Sequence, residues 1–394
     1  MDDAEKKIQF MIKSTGERRK SAHVKLKLLV HGIRDNPQLF SRHIGVFKEE
    51  HYAYDNGNWG VDKKRATPSE ILLPGGIVSK LHIREDSPLS IEDDTDGNLY
   101  IMKGNAVLSE ASFLKRPHFW DYKTSMGIPT KDIAQIYGLS ALNFNIFSGC
   151  EFHAIGKPCL FCSVSKTVDE NSPIRVIKDM DAISDVCELA TKYDHISYLI
   201  MTGGSYVDRD IEFDRNVQIL EKIRFKLPWN GKIIGNVSFL PPKDIGKLAV
   251  LYELKVSNPS FNIEVWPENN FAKVCPGKSA YVGFSHIIES LKFLVSIYGA
   301  GKVWSNFVAG LISLEDLKAG FDFMAENGIV PGANIYHAEV GSVIGRNTEP
   351  IRESYILSVY HYLAELYAKY DYRPYFDAGV LRNSLANEVY EGWL

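Results

Sequence analysis

Cysteine is scarce in this chain: there are five in 394 residues, an odd number. That excludes the disulfide framework of a small secreted domain and fits a reducing compartment. A surplus of basic charge is also missing. Lys and Arg total 45 against 49 Asp and Glu, for a formal net charge of −4 and a sequence pI of about 6.3. No overall field then draws the molecule to nucleic acid or anionic lipid, and small-molecule or peptide substrates are favoured. Long apolar runs are missing too. Residues 1–13 interleave Asp2, Asp3, Glu5, Lys6 and Lys7 with Phe10, Met11 and Ile12, which suits neither a signal peptide nor a membrane span. A cytoplasmic protein with no membrane partner is expected. There is no solenoid-type repeat and no low-complexity tract, and with 45% hydrophobic and 24% charged residues the chain can bury a large core.

The few cysteines are concentrated. Cys150, Cys159 and Cys162 fall in one window, spaced C-x8-C-x2-C, a pattern that points to metal ligation. Three thiolates are one ligand short of a closed zinc site or a closed 4Fe-4S cluster, so a fourth position is open to water, a side chain or a substrate. Three readings follow from these residues alone: an iron-sulfur enzyme, a non-catalytic iron-sulfur sensor, and a zinc site. In the zinc reading, His153 closes a Cys3His set, or a zinc hydrolase or deaminase uses Glu151 as general base. Cys187, with Ile183, Val186 and Ala190 on one helix face, reads as core, and Cys275, before Pro276-Gly277, as a loop thiol. These two lie too far apart in sequence to supply a second cluster, and the chain has no Asp-x-His-x-x-Gly cobalamin motif.

Along the chain, a polar helical start is followed by His23 to Val30, whose alternation predicts a half-buried strand. Short β-branched runs from Ile71 to Phe113 are punctuated by turns at Pro74-Gly75-Gly76, Asp94 to Asn98 and Lys103-Gly104-Asn105, of which the Asp-Gly and Gly-Asn pairs are hairpin signals. This predicts a β-rich N-terminal module (1–116), with a helical or loop bridge from Pro117 to Leu139. From residue 140 the text alternates. Strands are expected at Ala141 to Phe147, Ile196 to Met201, Lys232 to Phe239, Phe261 to Trp266, Val303 to Leu311 and Ile329 to Tyr336. Helices are expected at Met180 to Tyr193, Phe213 to Phe225, Lys243 to Leu254, Phe284 to Tyr298 and Leu314 to Asn327, the last started by Ser313 with Asp316 and stopped at Asn327-Gly328. The predicted class is α/β: a partial (β/α)6 TIM-type barrel over 117–345, then a C-terminal helical extension (346–394). Active residues of such barrels sit at the carboxyl ends of the strands, where the cysteine loop falls.

The cysteine loop, with Phe161 immediately before Cys162, resembles the cluster loop of the radical S-adenosylmethionine (SAM) superfamily. A first spacing of three residues is usual there; the eight here insert Glu151 to Pro158 without removing a ligand. Met201-Thr202-Gly203-Gly204-Ser205 is similar to the family's glycine-rich motif, with Ser205 where an acid is common. The strand with Asn306 and Gly310-Leu311, and the one ending Tyr336-His337-Ala338-Glu339, resemble the family's later strands. No residue before 117 takes part. The barrel most resembles the biotin-synthase-like branch. The resemblance implies one 4Fe-4S cluster on Cys150, Cys159 and Cys162, with SAM on its fourth iron. It also implies radical hydrogen abstraction from a small-molecule or peptide substrate, and an electron donor such as flavodoxin or ferredoxin. SAM or substrate contacts are then expected from Phe161, Gly203, Gly204, Ser205, Asn236, Ser238, Glu264, Asn306, Gly310, Tyr336 and His337. Glu264 is read equally as a site residue or an ion-pair partner. Substituting Gly204 is expected to weaken SAM binding and leave iron content nearly unchanged.

Overall fold

Two sheets organise the chain. The computed structural model describes residues 3–49, 67–164, 176–337, 341–345, 351–374 and 379–394, with backbone only for 3–14. Helices α1 (Asp3–His31) and α2 (Pro37–Arg42) precede an antiparallel sheet of β1 (Glu70–Leu73), β2 (Ile77–Lys80), β3 (Leu89–Asp93), β4 (Leu99–Lys103) and β5 (Ala106–Phe113). Its spatial order is β2-β1-β5-β4-β3. The expected turns close its hairpins. Between β3 and β4, Asp94 Oδ1 accepts from the Asp96 and Asn98 N–H groups and Gly97 takes φ 83°, a left-handed conformation that glycine adopts without a Cβ penalty.

The second sheet carries β6 (Gln135–Tyr137), β7 (Ala141–Asn145), β8 (Tyr198–Thr202), β9 (Ile233–Ser238), β10 (Val256–Ser260), β11 (Val303–Ala309) and β12 (Ile329–Ile335), side by side in chain order. β6 is antiparallel to β7, and β7 through β12 are parallel. Parallel neighbours need crossover connections, and each here contains helix. They are α3 (Glu151–Ala154) and α4 (Met180–Tyr193) after β7, α5 (Arg209–Ile223) after β8, and α6 (Ala249–Glu253) after β9. Then come α7 (Glu268–Val274), α8 (Pro276–Tyr281) and α9 (Phe284–Tyr298) after β10, α10 (Leu314–Glu326) after β11, and α11 (Glu353–Tyr370) and α12 (Ala386–Tyr390) after β12. The Ser313 hydroxyl caps α10 by accepting from Asp316 N–H at 3.0 Å.

The sheet does not close on itself: β6 and β12 are its edges. A C-terminal segment, residues 379–383, runs from one edge to the other. Leu139 N–H donates to Gly379 O at 2.9 Å beside the β6–β7 turn, and Ile335 N–H donates to Asn383 O at 3.3 Å on β12. From the N-terminal sheet, Lys80 N–H donates to Arg382 O at 2.9 Å. This strap joins both sheets.

Three expectations need correction. His23 to Val30 is not a strand but the end of α1. Leu26, Leu29 and Val30 enter the main core while Ala22, Val24 and Leu28 enter the core of the small sheet, so the helix is buried on two sides and its true period is masked. The fourth parallel strand is Val256–Ser260, not Phe261 to Trp266. Pro259 within it argues against a strand on sequence grounds, whereas 261–266 keeps strand-like alternation, with Phe261, Ile263 and Val265 buried, but pairs with β11 only through the isolated bridge of Glu264 to Phe307. In the expected bridge from Pro117 to Leu139, the three-residue strand β6 was not anticipated.

Candidate active site

The parallel strands alternate inward and outward. Along β7, Leu142 and Phe144 enter the main core, and Asn143 and Asn145 point the other way, into a cavity of about 430 Å³. Its walls also take Thr202, Asn236, Asn306 and Asn334 from neighbouring strands. Polar residues thus recur at inward positions of otherwise apolar strands.

All three clustered cysteines line the cavity, as do Phe161, Gly203, Gly204, Ser205, Asn236, Ser238, Glu264, Asn306, Tyr336 and His337. Gly310 does not line it: a Cβ there would meet Ile351 Cδ1 at 2.4 Å, and its N–H donates to the Tyr355 hydroxyl at 3.3 Å. Glu339 lies outside the described residues. His153 and Glu151 are absent from the lining, and the Glu151 carboxylate instead accepts from Val207 N–H at 2.6 Å.

The cysteine loop is fixed by backbone. Gly204 N–H donates to Phe147 O at 2.7 Å, and Glu151 N–H to Ser205 O at 2.8 Å. A Cβ on Gly204 would lie 1.6 Å from Gly149 O and 3.0 Å from Cys150 Cβ. The close approach that requires this glycine is therefore to the cysteine loop itself, which corrects the expectation that a substitution there leaves the loop undisturbed. Beside the pair, Asn145 Oδ1 is buried and has no hydrogen-bond partner.

Burial raises the Cys150 thiol and pushes the Cys162 thiol up to about 12. Cys159 is lowered by a hydrogen bond with the thiol of Cys275. Cys275 is fully buried at the junction of α7 and α8, not on an open loop, and this pairing across 116 residues left no mark in the sequence. Among the described residues, no three His, Cys, Asp or Glu side chains converge as the shell of one ion.

Glu264 follows β10 at φ 66° and is held in both directions, its N–H donating to Asn306 O at 3.0 Å and its carbonyl accepting from Val308 N–H at 2.7 Å. Its carboxylate pairs with Lys278 Nζ at 2.6 Å. Burial opposes the Lys278 charge, but Glu264 and Cys159 raise its pKa overall. Behind the wall, Glu212 on α5 accepts from Tyr206 N–H at 2.9 Å and Leu240 N–H at 2.8 Å, tying together the loops after β8 and β9. Burial pushes this carboxyl up to about 7.

The N-terminal sheet and the strap add residues that sequence reasoning missed. Lys80, His82, Arg382 and Asn383 line the cavity. His82 stacks on His337 at 3.4 Å between ring centroids, and His337 hydrogen-bonds Asn383. Burial, then His337, Lys80 and Arg382, lower His82 well below the ordinary histidine range.

No family model matches the sequence. The chain is 21% identical over 271 residues to bacteriochlorophyllide c C-7(1)-hydroxylase of Chlorobaculum limnaeum, covering 64% of this chain and 65% of that protein. It thus spans just under two thirds of that relative. Among solved structures it is similar to methylornithine synthase PylB, with a TM-score of 0.43 and 14% identity over 62% of this chain and 71% of that one. It is also similar to the FeFe-hydrogenase maturase HydG from Carboxydothermus hydrogenoformans, with a TM-score of 0.44 and 14% identity over 60% and 53%. The corresponding values for coproporphyrinogen III oxidase HemN from Escherichia coli, described as a radical SAM enzyme, are 0.40 and 14% over 64% and 58%.

Proposed function

We propose that this chain is a radical SAM enzyme whose partial (β/α)6 barrel binds one 4Fe-4S cluster through Cys150, Cys159 and Cys162 and takes SAM into the adjoining cavity. The observation that carries this reading is the placement of the three thiols on one cavity beyond the carboxyl end of β7 in a parallel sheet. With SAM bound, the cluster supplies a 5'-deoxyadenosyl radical that removes a hydrogen atom from substrate. The chain's own residues position the reactants. Gly203 and Gly204 seat the cysteine loop against β8, and the unpartnered Asn145 Oδ1 beside Gly203 accepts from an amino group of the ligand. Asn236, held by Asn258 O at 3.2 Å and Ser260 Oγ at 3.0 Å, joins Ser238 and Asn306 as a polar wall for the nucleoside, with Phe161 and Tyr336 as its apolar contacts.

The reading is pitched at the superfamily rather than at the biotin-synthase-like branch, because no described residue separates the branches. Residues 117–345 form the catalytic unit in this reading, 1–116 and 346–394 complete it, and a flavodoxin or ferredoxin supplies the electron in a reducing, cytoplasmic setting. All five cysteines are free thiols, and no described helix is long and apolar enough to cross a membrane.

Anaerobic reconstitution should give about four irons per chain. With a strong reductant, the protein should convert SAM to 5'-deoxyadenosine and methionine even without substrate. Cys159→Ala should abolish both. Cys275→Ala should retain the iron, because its thiol touches Cys159 without being a ligand. Stoichiometric zinc in anaerobic material, or equal iron loss in both variants, refutes the assignment.

A further inference from the structure

The charged residues of the cavity wall are engaged within the protein. Glu264 pairs with Lys278 and Arg382 with Glu70, each at 2.6 Å, and Lys80 is likewise engaged. Burial keeps His82 well below the ordinary histidine range and so uncharged at neutral pH. An ionic group on a ligand therefore meets no unpaired countercharge among the described lining residues.

Asn143 is different. It lines the cavity from β7 with its side chain fully buried, and neither Nδ2 nor Oδ1 has a hydrogen-bond partner. Such an amide costs free energy that a bound polar group would recover. Asn143 projects from the same face as Asn145, but two residues earlier, and so about 6.6 Å further from the strand end beyond which the thiols lie. Its surroundings are apolar. It pairs in register with Ile200 on β8, and Ile200 joins Val380 and Tyr137 in one cluster along the same cavity.

We infer that Asn143 binds a neutral carboxamide or lactam of the substrate, its Nδ2 donating to the ligand's carbonyl and its Oδ1 accepting from the N–H on the same edge. Ile200, Val380 and Tyr137 lie against the ligand's apolar body. The inference rests on the radical SAM reading, because it makes this amide the substrate from which hydrogen is removed. A group that both donates and accepts satisfies both atoms of Asn143, whereas a ketone leaves Oδ1 unmet and a carboxylate sets a charged oxygen against it. Because Asn143 lies deeper than Asn145, the amide is held on the far side of the cavity from the thiols. The hydrogen to be abstracted is then on the part of the substrate that extends back towards them.

The test uses reconstituted holoenzyme saturated with SAM and three probes of similar shape, benzamide, acetophenone and benzoate, with binding read by ligand-observed NMR at constant ionic strength. Benzamide should bind roughly tenfold or more tighter than either of the others, because each of them leaves a buried acceptor unmet. Asn143→Leu should erase that preference and leave the SAM concentration for half-saturation unchanged. Its unfolding midpoint should not fall, since the protein offers this amide no partner to lose. Benzamide binding no tighter than acetophenone or benzoate, or a preference that survives in Asn143→Leu, overturns the inference. A destabilised or unfolded variant does so too, by showing that the amide is paired within the protein, for instance with Gln135, opposite it on β6, whose Nε2 is also unpartnered. A variant that loses SAM affinity gives the amide to SAM and has the same force. Deoxyadenosine formation in the same preparation separates failure of the site from failure of the class. If SAM is cleaved and no amide preference exists, the amide site is wrong and the enzyme class stands; if no cluster forms and SAM is not cleaved, the class falls and this inference with it.

Discussion

Gly204→Ala isolates one contact. The φ of Gly204 lies outside the left-handed region, so alanine fits the backbone and only its methyl group matters. That methyl would sit 1.6 Å from Gly149 O, and reaching an ordinary separation of roughly 3.4 Å requires a shift of about 1.8 Å. The atom that must move belongs to the residue before Cys150. Metal ligation tolerates about 0.2 Å of error in ligand distance, nearly an order of magnitude less. Overpacking of this kind costs roughly 1–3 kcal/mol, so the protein should fold while its first thiol is out of position. Iron and sulfide per chain after anaerobic reconstitution, with absorbance near ~400 nm, should therefore fall well below wild type. Gly203→Ala is the control: its nearest contact, Phe147 N at 3.0 Å, is far less severe, and most of the iron should remain. Full iron in Gly204→Ala with only SAM affinity lost would refute the steric argument and restore the reading of Gly204 as a ligand-facing residue.

Glu264→Gln should leave the buried Lys278 charge without its partner and cost about 3–5 kcal/mol in urea unfolding. The double variant Glu264→Gln/Lys278→Met should recover most of that, and a single-variant cost below about 1 kcal/mol would show that the pair is not structural. Glu212, whose pKa is raised from 4.5 to about 7, binds more protons in the native than in the unfolded state between those values. Its contribution is therefore most favourable below about pH 4.5 and is lost as pH rises towards 7, by up to about 3 kcal/mol. Glu212→Gln should flatten that part of the stability–pH profile, and an unchanged slope would assign it to other groups.

The parts of the molecule legible in sequence are those governed by local rules. Helices α4 and α9 match their expected limits because an amphipathic stripe and its caps are short-range. The cysteine loop is legible because three cysteines that line one cavity fall within thirteen residues. Asn143 and Asn145 could have been found by the same means, as polar residues two apart in the apolar run Ala141 to Phe147. What stayed hidden depends on contacts distant in sequence. Cys275 against Cys159, and Arg382 over Tyr137, have no local signature. Gly203-Gly204 carried the right signal, close backbone approach, but the sequence does not say to what.

The strap shows why distant residues decide this site. An open parallel sheet leaves a gap between its edge strands, and whatever fills that gap forms a wall of the cavity. Here the filler is fixed by one buried carboxylate: Glu70 on β1 accepts from Lys48 at 2.5 Å, from Gly138 N–H at 3.0 Å and from Arg382 at 2.6 Å. Burial opposes the Glu70 charge, yet Lys48 and Arg382 hold its pKa below the usual range. Lys48 also donates to Ile136 O and Gly138 O at the β6 edge, so the N-terminal sheet, the edge strand and the strap share a single ionic junction. Such a junction contributes less to net stability than an apolar plug of the same volume, because two or more charges must be desolvated. It specifies geometry instead, since each donor has one direction and one distance. Arg382 is thereby held over Tyr137 at the end of the cavity opposite the thiols, and the shape of that end is set by residues 312 positions apart in the chain.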